Sequence, residues 1–206
     1  MLLALAVLFF MAGLIFLRFD RRAAHYCRDQ LDRSLWRFAL KVTDWAKGLP
    51  WIIAALVFYV AVQAIMAWRG ETALLREISD YSLALLASFV VASVLLHSAK
   101  IFLGRRRPRD DFQHGLYGFR YFTWELQYDS FPSGHAMTIF CVAVILSAIV
   151  PMLAPLWLAV ATALALTRAM LTAHFFSDVL IGAAIGLVVT RETLFLGFPQ
   201  LAPPWF

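Results

Sequence analysis

Six stretches of this 206-residue chain are apolar enough and long enough to cross a bilayer, and that property limits the folds open to it. The hydrocarbon core offers no water to backbone N–H and C=O groups, so a spanning segment must satisfy them internally, as a helix does. Roughly 20 apolar residues make one crossing. By that measure the candidates are Leu2–Leu17, Leu49–Trp68, Ser82–Leu103, His135–Leu153, Pro155–Ala173 and Phe176–Phe195. Composition agrees: 62% of residues are hydrophobic and 15% charged, where soluble domains average about 45–50% and 25%. The expectation is an all-α integral membrane protein, a six-transmembrane-helix bundle that forms one domain over residues 1–206. The spans are too close-set to leave room for a separate soluble domain. The first lacks a basic leader and a small-residue cleavage site and is followed by Arg18, Asp20, Arg21 and Arg22, so it reads as a retained helix.

Between the first two spans, Asp29–Lys47 places Leu31, Leu35, Phe38 and Val42 at helical spacing among Asp32, Arg33, Arg37, Lys41 and Asp44. This is the pattern of an amphipathic helix lying in the interface. Its cations and the net charge of +5 favour an anionic lipid surface. Cys27 and Cys141 fall in separate segments and have neither disulfide-framework nor metal-ligand spacing.

Three polar islands interrupt the apolar pattern: Lys100-(six residues)-Arg107-Pro108, Pro132-Ser133-Gly134-His135, and Arg168-(five residues)-His174-(three residues)-Asp178. Each lies at the end of a span, and alternation of six spans puts all three on one face. Lys100, Arg107 and Arg168 supply three positive charges to a tetrahedral anion, with arginine able to grip two oxygens at once. Ser133 and Gly134, just ahead of a helix, add a hydroxyl and backbone donors at the positive end of the helix dipole. A lipid phosphate monoester carries about −1.5 to −2 charges near neutrality and suits such a cradle. His174 and Asp178 are four residues apart, so on a helix they share a face and can hydrogen-bond. The carboxylate would fix the imidazole tautomer and free the other nitrogen to attack phosphorus. His135, at another helix start, is placed to protonate the departing alkoxide. By contrast His25, His97 and His114 read as satisfied polar residues or interface anchors, and Arg105, Arg106 and Arg109 as membrane-edge cations that snorkel to the headgroups.

The combination resembles the three-part signature of the type 2 phosphatidic acid phosphatase (PAP2) family, which also holds the vanadium haloperoxidases: K-x6-RP, PSGH and SR-x5-H-x3-D. Here the segments read KIFLGRRRP, PSGH and TRAMLTAHFFSD, so Thr167 stands where serine is usual and keeps a hydroxyl. The resemblance covers Lys100 to Asp178 and, more loosely, the six-helix layout. It implies a phosphohistidine at His174, oriented and charge-stabilised by Asp178, with His135 as leaving-group acid. Lys100, Arg107, Ser133, Gly134 and Arg168 would bind the phosphate, with no metal or other cofactor. The partners implied are a membrane lipid phosphate and the bilayer, not nucleic acid.

Two questions pass beyond the motifs. The motif-bearing face carries 15 of the 18 Lys and Arg, leaving Arg69, Arg76 and Arg191 for the other, and the positive-inside bias would put it in the cytoplasm. The resemblance implies instead the outer face of a bacterial cytoplasmic membrane, and that orientation is adopted. The default substrate is a phosphatidate- or phosphatidylglycerophosphate-like glycerolipid. The alternatives are a polyprenyl diphosphate, lipid A, phosphotransfer from His174 to a lipid acceptor, and a membrane transport or assembly protein. The loop Arg109–Phe131, with Phe112, Tyr117, Phe119, Tyr121, Phe122, Trp124 and Tyr128 among its charges, is either a headgroup lid or an interfacial aromatic belt.

Overall fold

In the computed structural model, which describes residues 1–206 apart from the side chain of Leu126, the apolar stretches are helices. In chain order the helices are α1 (Leu2–Phe16), α2 (Asp20–Gln30), α3 (Arg33–Val42), α4 (Gly48–Arg69), α5 (Ala73–Phe102), α6 (Pro108–His114), α7 (Gly134–Ile149), α8 (Ala154–Met170) and α9 (Phe176–Gly197). Two short strands, β1 (Leu103–Arg105) and β2 (Phe119–Tyr121), pair antiparallel with Gly104 opposite Arg120. Four segments have the length and hydropathy of a full crossing, those ending in α4, α5, α8 and α9, and a fifth is counted if the bent α1–α2 pair is one span. The expected six spans are therefore met in part. The remaining helix, α7, has 16 residues and is shorter than a typical crossing.

Local chemistry explains where the boundaries depart from the apolar pattern. Helix α5 starts nine residues before Ser82, because the Thr72 hydroxyl caps it by accepting from the Leu75 N–H at 3.3 Å. The single interfacial helix expected over Asp29–Lys47 is instead the end of α2, a break, and α3. Asp32 makes the break: its carboxylate accepts from the N–H groups of Ser34 (2.7 Å) and Leu35 (3.3 Å) and starts a new helix. Helix α2, turned 84° from α1, carries the charges after the first span and was not expected as a separate element.

Helix α9 is the centre of the bundle, packed on α1, α5, α7 and α8. Its contact with α7 is made by two glycines one turn apart. A Cβ on Gly182 would lie 2.4 Å from the Ser133 carbonyl oxygen, and one on Gly186 would lie 2.5 Å from that of Met137. This small-residue spacing lets helices in a bilayer approach backbone to backbone. On the other side of α9, Gly13 of α1 packs against Ile181. The start of α7 is thereby pressed onto the start of α9, and the second and third polar islands meet.

Candidate active site

The site lies where the ends of α5, α7, α8 and α9 converge. The Ser133 N–H donates to the Asp178 carbonyl at 2.9 Å, tying the turn before α7 to the first turn of α9. The Ser133 carbonyl accepts the first helical bond of α7, from Met137, at 3.1 Å. Gly134 and His135 occupy the first turn of α7 and are half-buried. At the end of α8 the chain turns back on itself, and the N–H groups of Ala173 (3.0 Å) and His174 (3.2 Å) both donate to the Arg168 carbonyl. Arg168 and His174 are thus neighbours in space although one closes a helix and the other precedes the next.

His174 is buried, and its Nδ1 lies 2.8 Å from the Ser130 carbonyl oxygen. A carbonyl only accepts, so Nδ1 carries the proton and Nε2 keeps its lone pair. The expected direct hydrogen bond to Asp178 is not made: Nδ1 and Asp178 Oδ2 are 3.9 Å apart. There are two reasons. His174 precedes α9 and does not share its helical spacing, and Asp178 is saturated by other donors. Asp178 Oδ2 accepts from the Ser130 hydroxyl at 2.6 Å and the Phe175 N–H at 2.9 Å, and Oδ1 accepts from Arg105 at 2.6 Å. Ser130 therefore stands between carboxylate and imidazole, its hydroxyl bonded to one and its carbonyl to the other. Burial first, then the charges of Arg107, Arg168 and Lys100, hold His174 well below the usual imidazole range, so it is neutral at physiological pH.

The three expected phosphate-binding cations have oxygen partners. Arg107 makes a two-pronged pair with Asp129, Nε to Oδ1 at 2.7 Å and Nη2 to Oδ2 at 2.9 Å, and Lys100 donates to the Asp129 backbone carbonyl. Arg168 Nη1 donates to the Thr43 hydroxyl at 3.2 Å. Two donors are left over: Ser133 Oγ and Arg168 Nε are buried without a hydrogen-bond partner among the described residues. Buried donors normally find an acceptor, and an anion between them would supply one. Thr167, the departure from the family pattern, donates to the Leu164 carbonyl at 2.6 Å and accepts from the Thr43 hydroxyl at 3.0 Å, so it steadies the residue that holds Arg168.

Three participants escape a sequence reading. Arg105 was expected to snorkel, yet its side chain has no exposed surface and is tied to both Asp178 and Asp20. Ser130 and Asp129 precede the second island and looked like loop residues. The faint signal for Arg105 is its neighbour: a Cβ on Gly104 would lie 2.2 Å from Thr123 Cγ2 and 2.7 Å from the Arg120 carbonyl, so the strand pair closes only around glycine. The three other histidines make bonds elsewhere or lie apart. His25 pairs with Asp111 at 3.0 Å, His97 bonds its own helix at Ser93, and His114 ends α6.

The chain is similar to several known proteins. Lipid A 1-phosphatase of Rhizobium johnstonii is 28% identical over 142 residues, 65% of this chain and 58% of that protein. Lipid A 1-phosphatase of Rhizobium etli is 32% identical over 102 residues, 50% of this chain and 44% of that protein. The chain thus spans about half the length of these relatives. Two crystal structures share the fold at 19% identity. Aquifex aeolicus LpxE has a TM-score of 0.59, covering 86% of this chain and 95% of its own. The first transmembrane PAP2 type phosphatidylglycerolphosphate phosphatase from Bacillus subtilis has a TM-score of 0.63, covering 100% and 98%. The family model of the PAP2 superfamily matches residues 81–199, more than half the chain and all three polar islands. This integral membrane protein belongs to the PAP2 superfamily.

Proposed function

We propose that this protein is a lipid phosphate phosphatase that hydrolyses a phosphate monoester at the membrane surface through a phosphohistidine on His174. The observation that carries the reading is the neutral, buried His174, with Nδ1–H held by Ser130 and Nε2 free, within the field of Lys100, Arg107 and Arg168. The phosphate would take the place of Asp129 on Arg107 and Lys100, and would accept from Arg168, Ser133 and the N–H groups that open α7 beside Gly134. Nε2 attacks phosphorus, the bond from phosphorus to the lipid oxygen breaks, and His135 gives its proton to the departing oxygen. Water then attacks the phosphohistidine, His135 takes a proton from it, and inorganic phosphate leaves with His174 restored. Asp178 supports the positive charge that develops on the imidazole from 3.9 Å away.

The relatives' names move the substrate from the glycerolipid default to lipid A, whose 1-phosphate would be the scissile group. A glycerolipid phosphate is the second reading, favoured by a full-length structural match to a phosphatidylglycerolphosphate phosphatase. The site would face the outside of a bacterial inner membrane, with the lipid entering sideways between helices. The test is phosphate release in EDTA by detergent-purified protein offered lipid A, phosphatidylglycerophosphate, phosphatidate and undecaprenyl diphosphate, beside His174→Ala. Release that is fastest from lipid A and disappears in the variant supports the reading. Equal release by the variant overturns the mechanism, and preference for a glycerolipid overturns the substrate.

A further inference from the structure

Beside His174 lies a buried charge cluster in which Asp178 is the one signature residue, joined by Arg105 from the spacer of the first island and by Asp20 from outside all three. The guanidinium of Arg105 is fully buried. Its Nη1 donates to Asp178 Oδ1 (2.6 Å) and the Ser177 hydroxyl (2.7 Å), and its Nη2 to Asp20 Oδ2 (2.9 Å) and the Tyr117 hydroxyl (3.0 Å). The Phe175 ring lies 4.2 Å from its central carbon, with Phe119 at 4.9 Å. Asp20, also fully buried, comes from α2, outside residues 81–199, and accepts from the Ser177 N–H at 3.0 Å and from the Ser177 hydroxyl. Two carboxylates from distant parts of the chain thus share one guanidinium.

We propose that Arg105 is a positioning residue for phosphoryl transfer: by bridging Asp20 and Asp178 it keeps Asp178 ionised, and through Ser130 it holds His174 in the Nδ1–H tautomer. The inference rests on His174 being the nucleophile. An ionised carboxylate can only accept, so the Ser130 hydroxyl must donate to Asp178. That bond, 2.6 Å long, fixes the Ser130 turn with its carbonyl 2.8 Å from Nδ1. Without the guanidinium, two buried carboxylates would face each other unpaired, and one would take up a proton. A protonated Asp178 could donate to Ser130, which loosens the orientation and removes the negative charge nearest the developing imidazolium. A lysine could not replace the arginine, because an ammonium is a point charge while the planar fork reaches two carboxylates and two hydroxyls at once.

The experiment uses full-length, detergent-purified protein. Nitrogen-15 spectra of its histidines, with His174 assigned by His174→Gln, are recorded beside steady-state kinetics for Arg105→Met, Arg105→Lys and Ser130→Ala. The expected wild-type His174 signals are those of a single Nδ1–H tautomer. In Arg105→Met they should broaden or average with the other tautomer. Its kcat should fall roughly 10²-fold, the cost of a misplaced reacting group, with KM within about threefold because the phosphate cradle is untouched. Its pH profile should gain a group that must lose a proton near neutrality, and Arg105→Lys should restore neither kcat nor the tautomer. A folded Arg105→Met protein with the wild-type His174 spectrum and pH profile overturns the proposal and leaves Arg105 a structural residue. Full rescue by lysine overturns it as well. Should Arg105→Met fail to fold, Ser130→Ala decides: it cuts the link without unpairing a charge, and an unchanged tautomer and kcat overturn the relay. Turnover retained by His174→Ala would remove the nucleophile reading, while the His174 spectrum would still report whether Arg105 sets its tautomer.

Discussion

Replacing Gly182 by alanine adds one methyl group where α9 meets α7, one turn beyond Asp178, and should disable the site. The new Cβ would stand 2.4 Å from the Ser133 carbonyl oxygen and 3.2 Å from the Ser133 carbonyl carbon and nitrogen. Ordinary contact begins near 3.4 Å, so α7 and α9 must part by about 1 Å at that point. Neither side can yield by rotating a side chain, because the obstruction is backbone. Ser133 bonds Asp178 through its N–H at 2.9 Å, and its hydroxyl and the α7 N–H groups belong to the proposed anion cradle. A shift of that size at a reacting centre costs roughly 10²-fold in rate, and the strained packing costs about 1–3 kcal/mol of stability. The assay is phosphate release from lipid A by Gly182→Ala, with Gly197→Ala as control, since a Cβ there meets nothing within 4 Å. A loss of kcat/KM near 10²-fold in the first and none in the second is expected. A folded Gly182→Ala protein within threefold of wild type would refute the claim that this helix contact sets the geometry of the cradle.

Other perturbations separate the parts of the site. His135→Ala should slow release of the lipid alcohol roughly 10²–10⁴-fold while leaving competitive inhibition by inorganic phosphate within about threefold, measured in the same assay. His174 has its imidazole held below the ordinary range, so above about pH 6.5 it is neutral in both folded and unfolded protein. Below that the unfolded chain binds a proton that the folded chain refuses, and stability falls by at most about 1.4 kcal/mol per pH unit until the folded value is reached. Thermal unfolding from pH 7 down to pH 5 should therefore show a shallower loss for His174→Gln than for wild type, and parallel curves would contradict it.

Much of this was legible in the chain, and what was not has physical causes. Apolar length marks α4, α5, α8 and α9 because crossing the hydrocarbon core demands it, and it marks α7 too, although that helix ends at Ile149, short of the expected Leu153. The islands announce Lys100, Arg107, Ser133, Arg168, His174 and Asp178 through spacing. Arg105 stands in a run of three arginines, and only tertiary structure shows that the first turns inward while Arg107 takes Asp129. Ser130 is missed because its backbone carbonyl makes the decisive bond, and carbonyls carry no sequence signature. Asp20 looked like a charge flanking a membrane helix. It acts instead as the buried counter-ion that brings the amino-terminal helices into the site.

The proposed anion cradle gathers three cations at one membrane edge, and the way the free protein accommodates them has a measurable consequence. Three cations at one membrane edge repel each other, yet Arg107 and Lys100 are quieted by one residue: the carboxylate of Asp129 takes the first and its backbone carbonyl the second. Burial opposes ionisation of Asp129, but the Arg107 fork, aided by the charges of Lys100 and Arg109, outweighs it and holds the carboxyl below its ordinary range. Asp129 is thus ionised throughout the physiological range, and under the proposed reading a substrate phosphate competes with a carboxylate already in place. Asp129→Asn keeps the backbone carbonyl and removes the competing charge. Side chains of Asp129 and Arg107 are 34% and 25% exposed, so screening limits the gain to roughly three- to tenfold. Competitive inhibition by inorganic phosphate should tighten by that factor at every pH from 5 to 8, and kcat should not rise, because the product is held by the same gain. Unchanged inhibition across that range would show that phosphate binds beside Asp129 without displacing it, and the cradle would then have to be built on Arg168, Ser133 and the start of α7 alone.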